Sequence, residues 1–139
     1  MTTETPPPWS EAETLDLADA ILTADWVRVD AWVSERITDT RLEYTLMSGL
    51  AMWCALLVPQ FMSAEDGMFV MEDYGATPLA LGMRQMLTAA CNGDNDALFA
   101  HVDALFERPV EERAEVMAQL MKAFHDFGEL ARRAKAGAA

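Results

Sequence analysis

The sequence predicts an all-α fold, a compact bundle of about six helices, and three observations carry that reading. Apolar residues recur at three- and four-residue spacing through most of the chain. Ser, Asp or Pro stands just before nearly every such stretch, where a helix start needs a side-chain acceptor or a preset φ. One stretch, the 21 residues from Tyr44 to Ala64, carries no charge at all and reads as a helix needing partners on several sides.

Ser10-Glu-Ala-Glu13 has the spacing of a capping box and opens the first helix, whose apolar face is Leu15, Ala18, Ile21 and Leu22. Asp25 caps a second helix striped by Trp26, Val29, Val33 and Ile37 and widened by Trp32. The alternation from Trp26 to Asp30 is strand-like, but the longer helical period outweighs it. Thr38 or Asp39 caps a long third helix that must end before Pro59. Thr77-Pro78 opens a fourth, with Leu79, Met83, Met86, Leu87 and Ala90 on one side, and Asn92-Gly93 ends it. Asp94 caps a fifth, with Leu98, Val102, Leu105 and Phe106 inward. Pro109 opens the last, where Val116, Leu120, Ala123, Phe124 and Phe127 form the stripe with Met117 and Met121 beside it.

The short, short, long order occurs twice, which suggests two duplicated three-helix units, 10–58 and 78–133, joined by a connector 59–77. Ile21-Leu-Thr-Ala24 echoes Met86-Leu-Thr-Ala89, and Val29-Asp-Ala31 echoes Val102-Asp-Ala104. Glu35-Arg36, Asp39, Arg41 and Glu43 recur as Glu107-Arg108, Glu111, Arg113 and Glu115 at one constant offset of 72. Such units would pack about a pseudo-two-fold axis with their long helices crossing in the middle. Residues 10–135 are then a single helical domain, preceded by a flexible Pro-rich arm, 1–9, and followed by a small-residue tail that frays. The uncharged stretch is long enough to span a bilayer. Ser48, Gly49, Pro59 and Gln60 dilute it, and the amphipathic neighbours favour a central helix wrapped by others in water, with no membrane partner.

Asp and Glu number 23 against 10 Lys and Arg, a formal charge of -13, which argues against direct nucleic-acid contact. Residues 1–40 hold nine acids and two bases, so Glu11, Glu13, Asp16, Asp19, Asp25 and Asp30 form a candidate acidic surface that could steer a basic partner. Seven of the ten methionines lie between Met47 and Met86, and methionine suits adaptable surfaces as well as irregular cores. Trp53, Met62, Met68, Phe69, Met71 and Tyr74 are therefore the candidate partner or ligand surface, a docking edge or lid; the alternative is that this run plugs the seam between the units.

No catalytic constellation is legible. His101 and His125 lack the Glu three residues earlier that a di-metal bundle requires, so no metal and no cofactor are expected. Ser48 lacks a nucleophile elbow, Asp126-Phe-Gly128 lacks every other kinase element, and no glycine-rich phosphate loop is present. Cys54 and Cys91 read as buried thiols of a reducing compartment, and the first residues have no secretory pattern, so the cytoplasm is expected. Abundant Ala with two lysines suits a GC-rich bacterial or phage genome. These readings converge on a non-enzymatic helical protein–protein interaction or regulatory protein that self-associates, with a homodimer the natural form. The alternatives are a small-molecule binding domain with an apolar Met- and Trp-lined pocket, and an acidic inhibitor of a nucleic-acid-binding protein.

Overall fold

Ser10, Asp25, Asp39 and Asp94 each accept a backbone N–H from three residues further on, at 3.1, 3.3, 2.8 and 3.1 Å. Each satisfies a donor that the first turn of a helix leaves unpaired. At Ser10 the box is reciprocal, because its own N–H donates to Glu13 Oε1. A computed structural model of the chain describes residues 8–64 and 78–137, with side chains from residue 81 onward in the second stretch. It contains α1 (Glu11–Leu22), α2 (Trp26–Arg36), α3 (Thr40–Leu57), α4 (Pro78–Cys91), α5 (Asn95–Leu105) and α6 (Val110–Gly137), with no strand among the described residues. Asp39, not Thr38, is the third cap.

The turns after α1 and α4 are the same device, 69 residues apart. Ala24 (φ 56°) and Gly93 (φ 69°) both sit in the left-handed region. Asp25 N–H reaches back to Ala20 O, and Asp94 N–H to Ala89 O, each at 2.9 Å. Thr23 and Asn92 both turn a side-chain donor onto the carbonyl four residues earlier. Left-handed backbone costs an L-residue roughly 1–2 kcal/mol and glycine almost nothing. Ala24→Gly is thus expected to stabilise by about 1 kcal/mol and Gly93→Ala to destabilise by about the same, read as opposite shifts in urea midpoint.

The core forms where α3 and α6 lie side by side. Glu43 meets Arg113, Cys54 Sγ–H points at Leu120 O, and Trp53 packs on Phe124, so both helices run the same way with residues about 70 apart as neighbours. Burial follows that register: Leu46, Met47, Leu50, Ala51 and Cys54 are buried, and so are Val116, Met117, Leu120, Met121 and Phe124. The short helices interlock across the seam, since α1 packs on α6 and α4 packs on α3. Gly128 makes the first of these contacts close, because any Cβ there would meet Leu22. That is the structural use of the Asp126-Phe-Gly128 tripeptide. Ser48, 5% exposed on α3, has no hydrogen-bond partner for its hydroxyl among the described residues. Ser48→Ala removes a desolvated hydroxyl and improves helix propensity, so a gain of about 1 kcal/mol is expected in urea unfolding.

The structure corrects several sequence expectations. The buried face of α1 is Leu17, Ala20 and Ile21, while Leu15 is 60% exposed. Trp9 is no part of a loose arm: its ring lies 5.2 Å from that of Trp32, where it shields apolar surface. The first part of the connector is structured too. Val58–Gln60 forms a 3₁₀ turn, and Phe61 packs on Phe127 at 5.4 Å. α6 runs through the expected frayed tail to Gly137. α3 is not wrapped on all sides. Its stretch Thr40–Gln60 is long and apolar enough to cross a membrane by length and composition, yet only 39% of its most apolar 18-residue window is buried and Leu56 is 72% exposed. The two long helices run alongside each other in register, and the echoes at other offsets, including the constant 72, do not match the register of 69 to 70 that turns and burial share.

Candidate binding groove

α5 packs against α3, but α2, its counterpart in the first half, has its one substantial described helix contact with α1 and stands off α6. The gap is a groove of about 530 Å³. α2 contributes Val29, Val33 and Ile37 on one wall with Asp30 and Ser34 at the rim. α6 contributes Val110, Ala114, Met117, Ala118 and Met121. Glu43, paired with Arg113, closes one end. One turn beyond Val29 and Met121, Trp26 meets His125 edge-on at 6.1 Å, and His125 Nδ1 lies 3.1 Å from Ile21 O. Val29, Met117 and Met121 are buried and form the floor, whereas Val110 is 56% exposed.

The corresponding place in the second half is only partly occupied, leaving a more polar hollow of about 480 Å³ lined by Thr40, Arg41, Tyr44, Thr45, Asp103, Phe106 and Glu107. Tyr44 projects from α3 against α5, its ring 5.2 Å from Phe106 and 6.4 Å from Phe99, and its hydroxyl donates to Asp103 Oδ1 at 2.8 Å. Burial and this bond push the Tyr44 phenol up to about 12. In the shared register, Tyr44 corresponds to Ala114, Phe99 to Asp30, Asp103 to Ser34 and Phe106 to Ile37. Small and polar residues therefore replace an aromatic cluster, and the two hollows differ in lining: mostly apolar between α2 and α6, and rimmed by Thr40, Arg41, Thr45, Asp103 and Glu107 between α3 and α5.

The reverse exchange opens a second space. In the first half Trp32 is 3% exposed, donates Nε1–H to Glu13 O at 2.9 Å, and lies under the Arg36 guanidinium. In the second half His101 stands in place of Trp32 and Gly82 in place of Glu13. A cavity of about 230 Å³ results, bounded by Met83, Gln85, Met86, His101, Leu105 and Arg108 among others.

The sequence-predicted site residues are scattered. Trp53 and Met62 are partly buried against the core, Trp53 with its ring 5.5 Å from Phe124, so they brace the bundle rather than present a free edge. Met68, Phe69, Met71 and Tyr74 lie outside the described residues. Four of the six acids are paired from within, but by only two arginines, so the surface stays net negative. Arg28 gathers Asp16, Asp19 and Asp25 at 2.9, 3.0 and 3.9 Å, and Arg36 holds Glu13 at 2.7 Å. Arg36's hydrogen bond, then the Ser10 N–H, keep the Glu13 carboxyl below the usual range. Glu11 and Asp30 are exposed and make no ion pair among the described residues, and Asp30 alone of the six lines the groove. Sequence reasoning missed the groove because Ala114 and Ala118 look like ordinary helix surface; their one signal is small-residue i, i+4 spacing beside Val110.

Both thiols are poor nucleophiles. Burial raises Cys54 from 9.0 to about 12 and Cys91 to about 11. A thiol whose pKa is raised by folding favours the native state fully below pH 9 and loses that contribution as pH rises through the folded values. Stability is expected to fall between pH 9 and 12, and iodoacetamide to label Cys54 only as fast as the protein opens. Prompt native labelling at pH 8 would contradict the burial.

Comparison with models of known protein families, with curated proteins and with solved structures gave no match. Among the described residues no three His, Cys, Asp or Glu side chains are grouped to hold a metal ion.

Proposed function

We propose that this chain is a non-enzymatic interaction protein that binds a protein partner in the groove between α2 and α6. The observation that carries the reading is an apolar groove about three turns long, walled by Val29, Val33, Ile37 and the Val110–Met121 face of α6, where the matching hollow of the other half holds the protein's own tyrosine and a polar lining. Contiguous exposed apolar surface of this kind marks interaction sites on soluble proteins. Thiols held protonated by burial favour binding over catalysis at the cysteines. A cytoplasmic setting and descent of both halves from one duplicated unit belong to the same proposal. Self-association through the groove is its homodimeric form, which the formal charge of -13 on each copy opposes at low salt.

The test is a filled groove. Ala114→Tyr copies the aromatic that occupies the other half. Partners captured by the natural chain, rebuilt from purified components, should bind Ala114→Tyr at least tenfold more weakly. Equal affinity for both chains overturns the proposal. Sedimentation velocity on the two proteins reads the homodimer in the same experiment.

The cavity beside His101 favours a second reading, an apolar small-molecule site. His101→Trp restores the side chain that fills the matching place. Native mass spectrometry should show a bound mass that this variant loses. A natural chain of bare mass, together with a higher thermal midpoint for His101→Trp, removes the reading.

A further inference from the structure

Resting on the groove reading above, we infer that the occupant is a basic amphipathic helix of a partner protein, with an aromatic side chain seated over Ala114. The shape comes from the α6 side. Val110 to Met121 spans roughly 17 Å at 1.5 Å per residue, three turns, so a helix laid along it can place residues i, i+3 or i+4, and i+7 in the groove. A volume of about 530 Å³ takes several side chains but no backbone, so the helix rides on the rim.

The aromatic anchor comes from the protein's own precedent. Tyr44 occupies the inner part of the matching space, its ring stacked on Phe99 and tilted against Phe106 and its hydroxyl donating to Asp103. Over Ala114 a partner's ring would meet Ile37, and a phenol hydroxyl would reach Ser34 or Asp30, the acceptors at the rim.

The charge comes from the walls. Asp30 lines the groove, and Glu111 and Glu115 follow on the exposed flank of α6 beside Ala114 and Ala118, with Lys122 opposing them. The formal charge of -13 adds a long-range field of the same sign. A second copy would bring that charge with it, whereas a helix flanked by Lys or Arg is attracted.

The probe is an 18-residue helical peptide of Leu and Lys with one Tyr central on its apolar face, alongside the same peptide with Glu for Lys and with Ala for Tyr. Fluorescence anisotropy at 50 and 300 mM salt gives affinities for the natural chain, Ala114→Tyr and Asp30→Lys, with far-UV circular dichroism checking that each variant folds. The Lys peptide should bind the natural chain at least tenfold more tightly than the Glu or Ala versions. Binding should weaken with salt and fall at least fivefold for each variant. Asp30 is exposed, so its substitution leaves folding intact and keeps the test decisive should Ala114→Tyr not fold. If the Glu peptide binds as well as the Lys peptide and Ala114→Tyr still blocks it, the basic partner is wrong and the groove stands. If the Lys peptide binds the natural chain and both variants alike, it sits elsewhere and the groove reading falls too. If no peptide binds, the inferred occupant is wrong, and the captured partner alone decides the groove.

Discussion

Leu120→Ala should lower stability by about 3 kcal/mol and the thermal midpoint by ~10 °C. Leu120 is 0% exposed in α6, its carbonyl faces the Cys54 thiol of α3, and its counterpart Leu50 is equally buried. Truncation removes apolar contact and leaves a void that two packed helices close only in part. The control is Leu15→Ala. Sequence periodicity alone points Leu15 inward, yet it is 60% exposed, so its loss should cost no more than ~0.5 kcal/mol. Urea unfolding of both variants separates the exposed face of α1 from the seam. Equal costs would mean that the seam is not where the core lies.

Arg113→Met should cost about 2–3 kcal/mol. Arg113 Nε donates to Glu43 Oε1 at 2.9 Å, with the two side chains 15% and 19% exposed, while a terminal nitrogen donates to Arg108 O and the guanidinium covers Phe106. Removing the arginine leaves a half-buried carboxylate without its cation. Adding Glu43→Gln should recover part of the loss, and a double-mutant cycle should return a coupling of about 1 kcal/mol or more. The comparison is Arg132→Ala. Arg132 reaches Glu129 at 2.7 Å but is 68% exposed, so solvent screens the pair and its loss should be close to neutral. Should the exposed pair matter as much as the half-buried one, distance rather than desolvation would set the energetics.

How far the site was readable differs by residue. Ser10, Asp25, Asp39 and Asp94 act through side chain and backbone within three residues, so their roles stand in the sequence. Arg28 could not be read as the centre of three carboxylates, because Asp16 and Asp19 reach it only when α1 and α2 fold back on each other. Ala114 carries no local mark of a binding surface. Its meaning appears only beside Tyr44, and the register that equates them is set by packing rather than by matching letters. The echoes at offset 72 rested on charged residues near helix ends, which tolerate shifts of one turn; buried leucines and left-handed turn residues do not.

What the sequence determined by itself is local: six helices, their caps and stops, and an all-α fold. Helical hydrogen bonds and caps close over three to five residues, so neighbours in the chain suffice to specify them. What only the tertiary structure decided is which side of each helix is covered, and therefore that α3 is open at Leu56, that α2 stands off α6, and that the groove between them is apolar where the matching hollow of the other half holds Tyr44 and polar side chains. Burial depends on the apposition of segments some 70 residues apart, and an amphipathic stripe offers several rotations and partners of similar apolar area until all six helices compete for the same core.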